Sequence, residues 1–165
     1  MNTFVSYIDS PVGTLELISS ENGIRSLSFC DGRLSEDSSN LPEIHKSSIE
    51  QLNQYFTGTL KAFSQELIPE GTAFQMKVWH CLSKIPFGST VSYGTVAESL
   101  GDPAAIRAVA SAIGKNKIAI IIPCHRVIGS DGAMTGFAGG IPRKEWLLQH
   151  ECALPQLTLF SGYGI

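Results

Sequence analysis

The chain has 165 residues, 43% hydrophobic and 16% charged, which suits one domain or two small parts sharing a core and excludes global disorder. The run Ile118 to Ile122 is far too short to cross a bilayer, and Met1-Asn2-Thr3-Phe4 lacks the basic and apolar regions of a signal peptide. Cys30, Cys81, Cys124 and Cys152 form no C-x-x-C pair and no zinc-like spacing with His45, His80, His125 or His150, so reduced cytoplasmic thiols are expected. The net charge of −3 divides into −6 over residues 1–70 and +3 over residues 71–165, which turns the second half toward any polyanion.

Phe4 to Ile8 and Thr14 to Ile18 read as strands around the turn Ser10-Pro11-Val12-Gly13. Asn22-Gly23 is a hairpin signal, and Ile24 to Phe29 follows as a third strand. The serine-rich stretch from Asp31 to Asn40 reads as a loop. Ile49, Leu52 and Phe56 then recur at helical spacing until Gly58. Leu67 to Gly71 looks like a connector between parts spanning 1–70 and 71–165.

Thr72-x-x-Gln75 has the form of a capping box, opening a helix with the stripe Phe74, Val78, Cys81 and Leu82. After Ile85-Pro86-Phe87-Gly88, a short helix carrying Tyr93, Val96, Ala97 and Leu100 begins near Ser92 and stops at Gly101. Asp102-Pro103 supplies an N-cap and a first-turn proline for the next, whose apolar template is Ile106, Val109, Ala110 and Ile113. Two short helices across a tight turn make a helix-turn-helix candidate. Ala104, Ala108 and Ser111 give the second helix a small-residue face around Arg107, with Lys115 and Lys117 beyond. Such a face suits close approach to a phosphate backbone, and it equally suits a helix–helix contact.

The β-branched run 118–122 reads as a buried strand delivering Pro123-Cys124-His125-Arg126 at its end, where polar chemistry is commonly mounted. A thiol reacts as thiolate and needs a nearby base or cation, for which His125 and Arg126 are the candidates. Adjacent side chains of an extended chain face opposite ways, so Cys124 and His125 need a turn or a bridging water to cooperate. Glu151 ends the helix indicated by Pro142, Trp146, Leu147 and Leu148; it sits against the unfavourable end of the dipole, and orienting a histidine would explain it. Gly136-Phe137-Ala138-Gly139-Gly140 between them is a flexible loop that could close over a ligand. These residues fit a Cys-His-Glu nucleophile beside a DNA-binding corner, and equally a thiol hydrolase of small amides or esters.

The segment Ile122-Pro123-Cys124-His125-Arg126-Val127-Ile128, with Asn116 eight and Arg107 seventeen residues before the cysteine, resembles the O6-alkylguanine-DNA alkyltransferases. Val91-Ser92-Tyr93-Gly94, Arg107-Ala108-Val109 and Lys144-Glu145-Trp146-Leu147-Leu148-x-His150-Glu151 extend the match from about Pro86 to Glu151, more loosely from Gly71. Residues 1–70 match only in general plan.

The resemblance implies an α/β (α+β) molecule. A small N-terminal antiparallel sheet with a helix precedes a mostly helical C-terminal domain that holds the helix-turn-helix and a cysteine active-site loop. It implies repair of double-stranded DNA containing O6-alkylguanine, with the second helix in the minor groove and the base flipped into a pocket. Cys124 would take the alkyl group irreversibly. His125 would relay a proton through water, and Glu151 would fix its tautomer. Tyr93 would hydrogen-bond the guanine and crowd the rotating phosphate, while Arg107 would fill the hole left in the stack. Asn116 would tie the recognition helix to the active-site segment. Ala104, Ala108 and Ser111 would face the groove, and Val127, Phe137, Ala138 and Gly139 would surround the base.

A monomer without cofactor, metal or membrane is expected, located in the cytoplasm. Phe137 and Ala138 replace the tyrosine and serine of some relatives, removing side-chain hydrogen bonds worth about 1 kcal/mol each. Some relatives bind zinc in the N-terminal part, but Cys30 and His45 lack further ligands for it. A non-catalytic sensor of alkylated bases is the other reading within this fold; such relatives lack the cysteine, which Cys124 supplies.

Overall fold

β1 (Phe4–Ser10), β2 (Gly13–Ser20) and β3 (Gly23–Cys30) form an antiparallel meander in that order, as the apolar and β-branched runs and the turn residues between them predict. The computed structural model describes residues 2–32 and 40–153; most of the expected serine-rich loop and of the tail after Cys152 lies outside them. Leu15 and Leu17 of β2 point into the core, paired with Ile8, Phe29 and Leu27 across the sheet. The β2–β3 turn itself is Glu21-Asn22, and Gly23 already pairs with Ser20. Glycine is needed at 23 for a different reason than the hairpin signal suggested. A Cβ there would sit 2.8 Å from the Glu66 carbonyl oxygen and from Ile68. The connector passes this closely because Ile24 exchanges backbone hydrogen bonds with Glu66 and Ile68.

Helix α1 (Glu43–Phe56) packs against the sheet through His45, Ser48, Leu52 and Tyr55, a face rotated from the expected Ile49-Leu52-Phe56 stripe. His45 is fully buried and bridges the hydroxyls of Ser19 and Ser6, at 2.7 and 2.9 Å. Its polar ring is therefore satisfied inside the core, which explains why a histidine replaces an apolar residue on that face.

In α2 (Ala73–Leu82) the capping box forms in both directions between Thr72 and Gln75. The buried face is Val78, Trp79 and Leu82, while Phe74 is exposed, contrary to the expected stripe. Trp79 Nε1 donates to the Ala112 carbonyl at 2.8 Å, pinning α2 to the helix pair. A two-residue strand, β4 (Val91–Ser92), leads into α3 (Tyr93–Ser99), which starts beside Ser92 as expected, with Ser92 as its N-cap. Helix α4 (Ile106–Gly114) starts later than Asp102-Pro103 implied. Asp102 instead caps a preceding turn through the Ala104 N–H, at 3.1 Å. Val109, Ala112 and Ile113 form the buried stripe of α4, and Ile106 and Ala110 face outward.

The isoleucine-rich run is not a strand. Its backbone turns at Ile120, whose φ of 71° lies in the left-handed region, while Ile118, Ile120 and Ile122 all remain buried. A single 3-10 turn (Cys124–Arg126) and β5 (Val127–Ile128), parallel to β4, follow; α5 (Ile141–His150) closes the described fold. No helix among the described residues is long and apolar enough to cross a membrane.

Candidate active site

The 116–123 segment that carries Cys124 is held in shape by Asn116. Its Nδ2 donates to the carbonyls of Ile122 (2.9 Å) and Ile118 (3.4 Å), and its Oδ1 accepts from the Ile118 N–H at 3.0 Å. Asn116 follows α4 directly, so one side chain couples that helix to the cysteine. Cys124 and His125 sit on a 3-10 turn rather than an extended chain, so their side chains are not set on opposite faces.

His125 is wholly buried, and its Nε2 lies 2.7 Å from Glu151 Oε1. Burial alone would push the Glu151 carboxyl up. Hydrogen bonds from His125, Arg126 and the Tyr55 hydroxyl outweigh it and hold the group at about 2. An ionised carboxylate only accepts, so Nε2 carries the proton and Nδ1 keeps a lone pair. Among the described residues Nδ1 meets no hydrogen-bond partner. Burial lowers the His125 pKa, opposed by Glu151, so the ring rests neutral at pH 7. Burial likewise raises the Cys124 thiol, against the Asn116 hydrogen bond and the Lys144 charge. The resting pair is therefore thiol plus neutral imidazole, with the base nitrogen free.

Arg126 does not serve the thiol as expected. Its Nε and Nη2 donate to the two Glu151 oxygens at 2.8 and 2.9 Å, and its Nη1 to the Ile85 carbonyl at 2.6 Å. The cation that acts on the thiol is Lys144, fully buried on α5. Lys144 Nζ donates to the carbonyls of Val127 (2.6 Å) and Thr135 (3.0 Å). Tyr55, which donates to Glu151 Oε1 at 2.7 Å from 96 residues away, was not singled out either. Lys144 was legible in principle: Lys144, Leu147, Leu148 and Glu151 share one helical face. Nothing in the sequence around Tyr55 announces its partner.

Cys124 lines a cavity of about 130 Å³ together with Leu27, Phe29, Ile113, Asn116, Phe137 and Ala138. A wider groove of about 580 Å³ adjoins it, sharing Gly114, Gly136, Phe137 and Ala138 and walled by Tyr93, Ile106 and Arg107. Tyr93 and Arg107 thus lie on the same opening, and the Tyr93 hydroxyl donates to the Thr135 carbonyl at 3.0 Å. Ala108 and Ser111 are exposed on α4, and Ala104 is exposed on the turn before it. Val127 and Gly139 line neither space. The Val127 carbonyl is occupied by Lys144, and Gly139 packs so tightly that a Cβ would stand 2.6 Å from Phe29. His45, with Ser6 and Ser19 on its ring, and Cys30, which donates to the Gly32 carbonyl, serve other partners, and no group of three metal-ligating side chains converges among the described residues.

A buried thiol with an oriented imidazole, opening into a groove along a helix-turn-helix, defines a thiol-dependent protein built to reach a large, extended substrate. The chain belongs to the 6-O-methylguanine DNA methyltransferase family, whose ribonuclease-like domain matches residues 4–69 and whose DNA-binding domain matches residues 73–153. The methylated-DNA–protein-cysteine methyltransferase of Methanosarcina barkeri is 44% identical over 90% of this chain and 96% of its own length. That of Mycobacterium tuberculosis is 44% identical over 93% and 96%. The crystal structure of Mycobacterium tuberculosis OGT in complex with DNA superposes with a TM-score of 0.82, at 44% identity, over 95% of this chain and 99% of that one.

Proposed function

We propose that this protein repairs duplex DNA by moving the alkyl group of O6-alkylguanine onto its own Cys124, once per molecule. The observation that carries the reading is the placement of Cys124 on a cavity that adjoins the Tyr93–Arg107 groove, next in the chain to a His125 held by a buried carboxylate. The division of labour follows the chain: residues 1–70 form the sheet part and residues 71–165 carry DNA binding and chemistry.

Outer-face residues Ala104, Ala108 and Ser111 let α4 lie in the minor groove, and Arg107 replaces the extruded base in the stack. Tyr93 exchanges its Thr135 partner for the flipped guanine. Phe137 and Ala138 hold the base, with Val127 and Gly139 shaping the pocket from behind. The thiol proton passes through water toward His125 Nδ1, while Glu151 fixes the tautomer. Sulfur then bonds to the alkyl carbon as the carbon–O6 bond breaks, and guanine leaves with the electron pair and takes up a proton. A thioether has no easy leaving route, so the protein is spent. No cofactor takes part, one copy suffices, and a thiol that must stay reduced suits the cytoplasm.

Cys124→Ser tests this reading. The variant is expected to keep its affinity for O6-methylguanine duplex in a gel-shift titration while label transfer from the DNA disappears. Continued transfer by the variant contradicts it.

A further inference from the structure

Among the described residues the exposed large hydrophobic side chains are Phe74, Met76 and Ile106. Phe74 and Met76 stand on α2, whereas Ile106, the most exposed at 46%, lines the groove with Tyr93 and Arg107. It is the first residue of α4, immediately before Arg107. Ile106, Ala110 and Gly114 recur at four-residue spacing, so they form one line along the helix, and all three border the groove. Along that line the side chain shrinks from branched alkyl to methyl to hydrogen, and Gly114 also borders the Cys124 cavity. The helix is therefore open toward the thiol and bulky at its N-terminal end. Ile106 stands close to α3, since a Cβ on Gly94 would meet its Cδ1 at 4.0 Å. Branching at Cβ leaves it one favoured rotamer in a helix, so it presents a stiff apolar surface beside the long, flexible Arg107.

We infer that Ile106 is a positioning residue for base extrusion: its side chain wedges against the base pair next to the vacated position, beside Arg107, and opposes return of the nucleotide. This rests on the proposed path of the flipped guanine through the Tyr93–Arg107 groove. Extruding a base strips its neighbour of a stacking partner, and apolar side chains inserted from the minor groove offset that cost by covering the opened step. Arg107 brings a planar cation and Ile106 an apolar contact, so the two together cover more of the bared base than the arginine alone. Isoleucine is a short side chain, and it reaches the step because Ala104, Ala108 and Ser111 allow close approach of the backbone. Half of its apolar surface is bare in the free protein, which is unfavourable in water; contact with a base or its deoxyribose removes that exposure.

The test compares transfer rate constants of the full chain, read by intact mass, for O6-methylguanine in a duplex opposite cytosine and in the same strand alone. The single strand needs no unpairing, so it reports thiol, cavity and folding without the wedge. Ile106→Ala is expected to slow duplex transfer about fivefold and single-strand transfer by no more than about twofold. Ile106→Leu, which keeps the apolar volume, is expected to stay within about twofold of wild type on both. A 2-aminopurine beside the lesion reports the opened step itself. Its fluorescence should rise on binding Cys124→Ser protein, and rise less when Ile106→Ala is added to that variant. An unchanged duplex rate in Ile106→Ala, equal slowing on both substrates, or Ile106→Leu as slow as Ile106→Ala overturns the inference. Wild-type protein that takes methyl from neither substrate overturns the proposed function instead.

Discussion

At the scale of single residues, Glu151 decides the state of the site. Four hydrogen bonds, two of them from Arg126, converge on its carboxylate at a buried helix end, where the helix dipole would otherwise disfavour a negative charge. With the folded carboxyl held at about 2 and the ordinary value 4.5, its contribution to stability is present above pH 4.5 and lost as pH falls toward 2. For His125 the neutral ring is the working form. Its pKa lies below the ordinary 6.5, so transfer is expected to persist below pH 6.5 and to fail only as pH drops through the lowered value. Glu151→Gln removes the anion that supports imidazolium. The transfer rate should fall at every pH, and the acid limb should move further down. Because Arg126 loses its buried partner, thermal unfolding should also register a loss of about 3–5 kcal/mol. An acid limb that moves up in Glu151→Gln contradicts the orienting role.

At the scale of elements, the sequence was readable where local chemistry decides the outcome. The Thr72–Gln75 capping box and the helix start at Ser92 formed where their residues predict. Readings failed where tertiary contacts decide. Asp102-Pro103 looks like a helix start, yet the aspartate caps a separate turn, and the helix waits for Ile106. The run 118–122 has strand composition, but Asn116 bonds and the left-handed Ile120 bend it, and the buried isoleucines serve the core from a turn. Periodicity could not show this, because a buried turn and a buried strand are equally apolar. Ile120→Gly separates the two demands on that residue. It relieves about 1–2 kcal/mol of backbone strain but empties a buried isoleucine site worth about 2–5 kcal/mol. A net loss is expected in denaturant unfolding; a stabilised variant would mean that strain outweighs packing.

At the scale of the whole molecule, the N-terminal part does more than cover the C-terminal one. Tyr55 on α1 reaches Glu151, Leu27 on β3 exchanges backbone hydrogen bonds with Lys117 and Ala119, and Phe29 walls the cavity beside the thiol. The sequence resemblance was dense in residues 86–151 and thin before them, so these cross-links were the least legible part of the site. They depend on pairs far apart in the chain, and no local pattern records such pairing. Cys124, His125, Glu151, Tyr93 and Arg107 were legible because they fall in one motif-rich stretch. The structure sets Cys124, Tyr93 and Arg107 on adjoining spaces and bonds His125 to Glu151.

The central claim is stoichiometric self-alkylation, and intact mass followed by peptide mapping tests it most directly. The full chain is mixed with excess duplex carrying O6-methylguanine. One added methyl group, confined to the peptide bearing Cys124 and stopping at one equivalent, is the predicted result. Methylation at Cys30, Cys81 or Cys152 instead, repair of more lesions than protein molecules, or unmodified protein beside repaired DNA would contradict it.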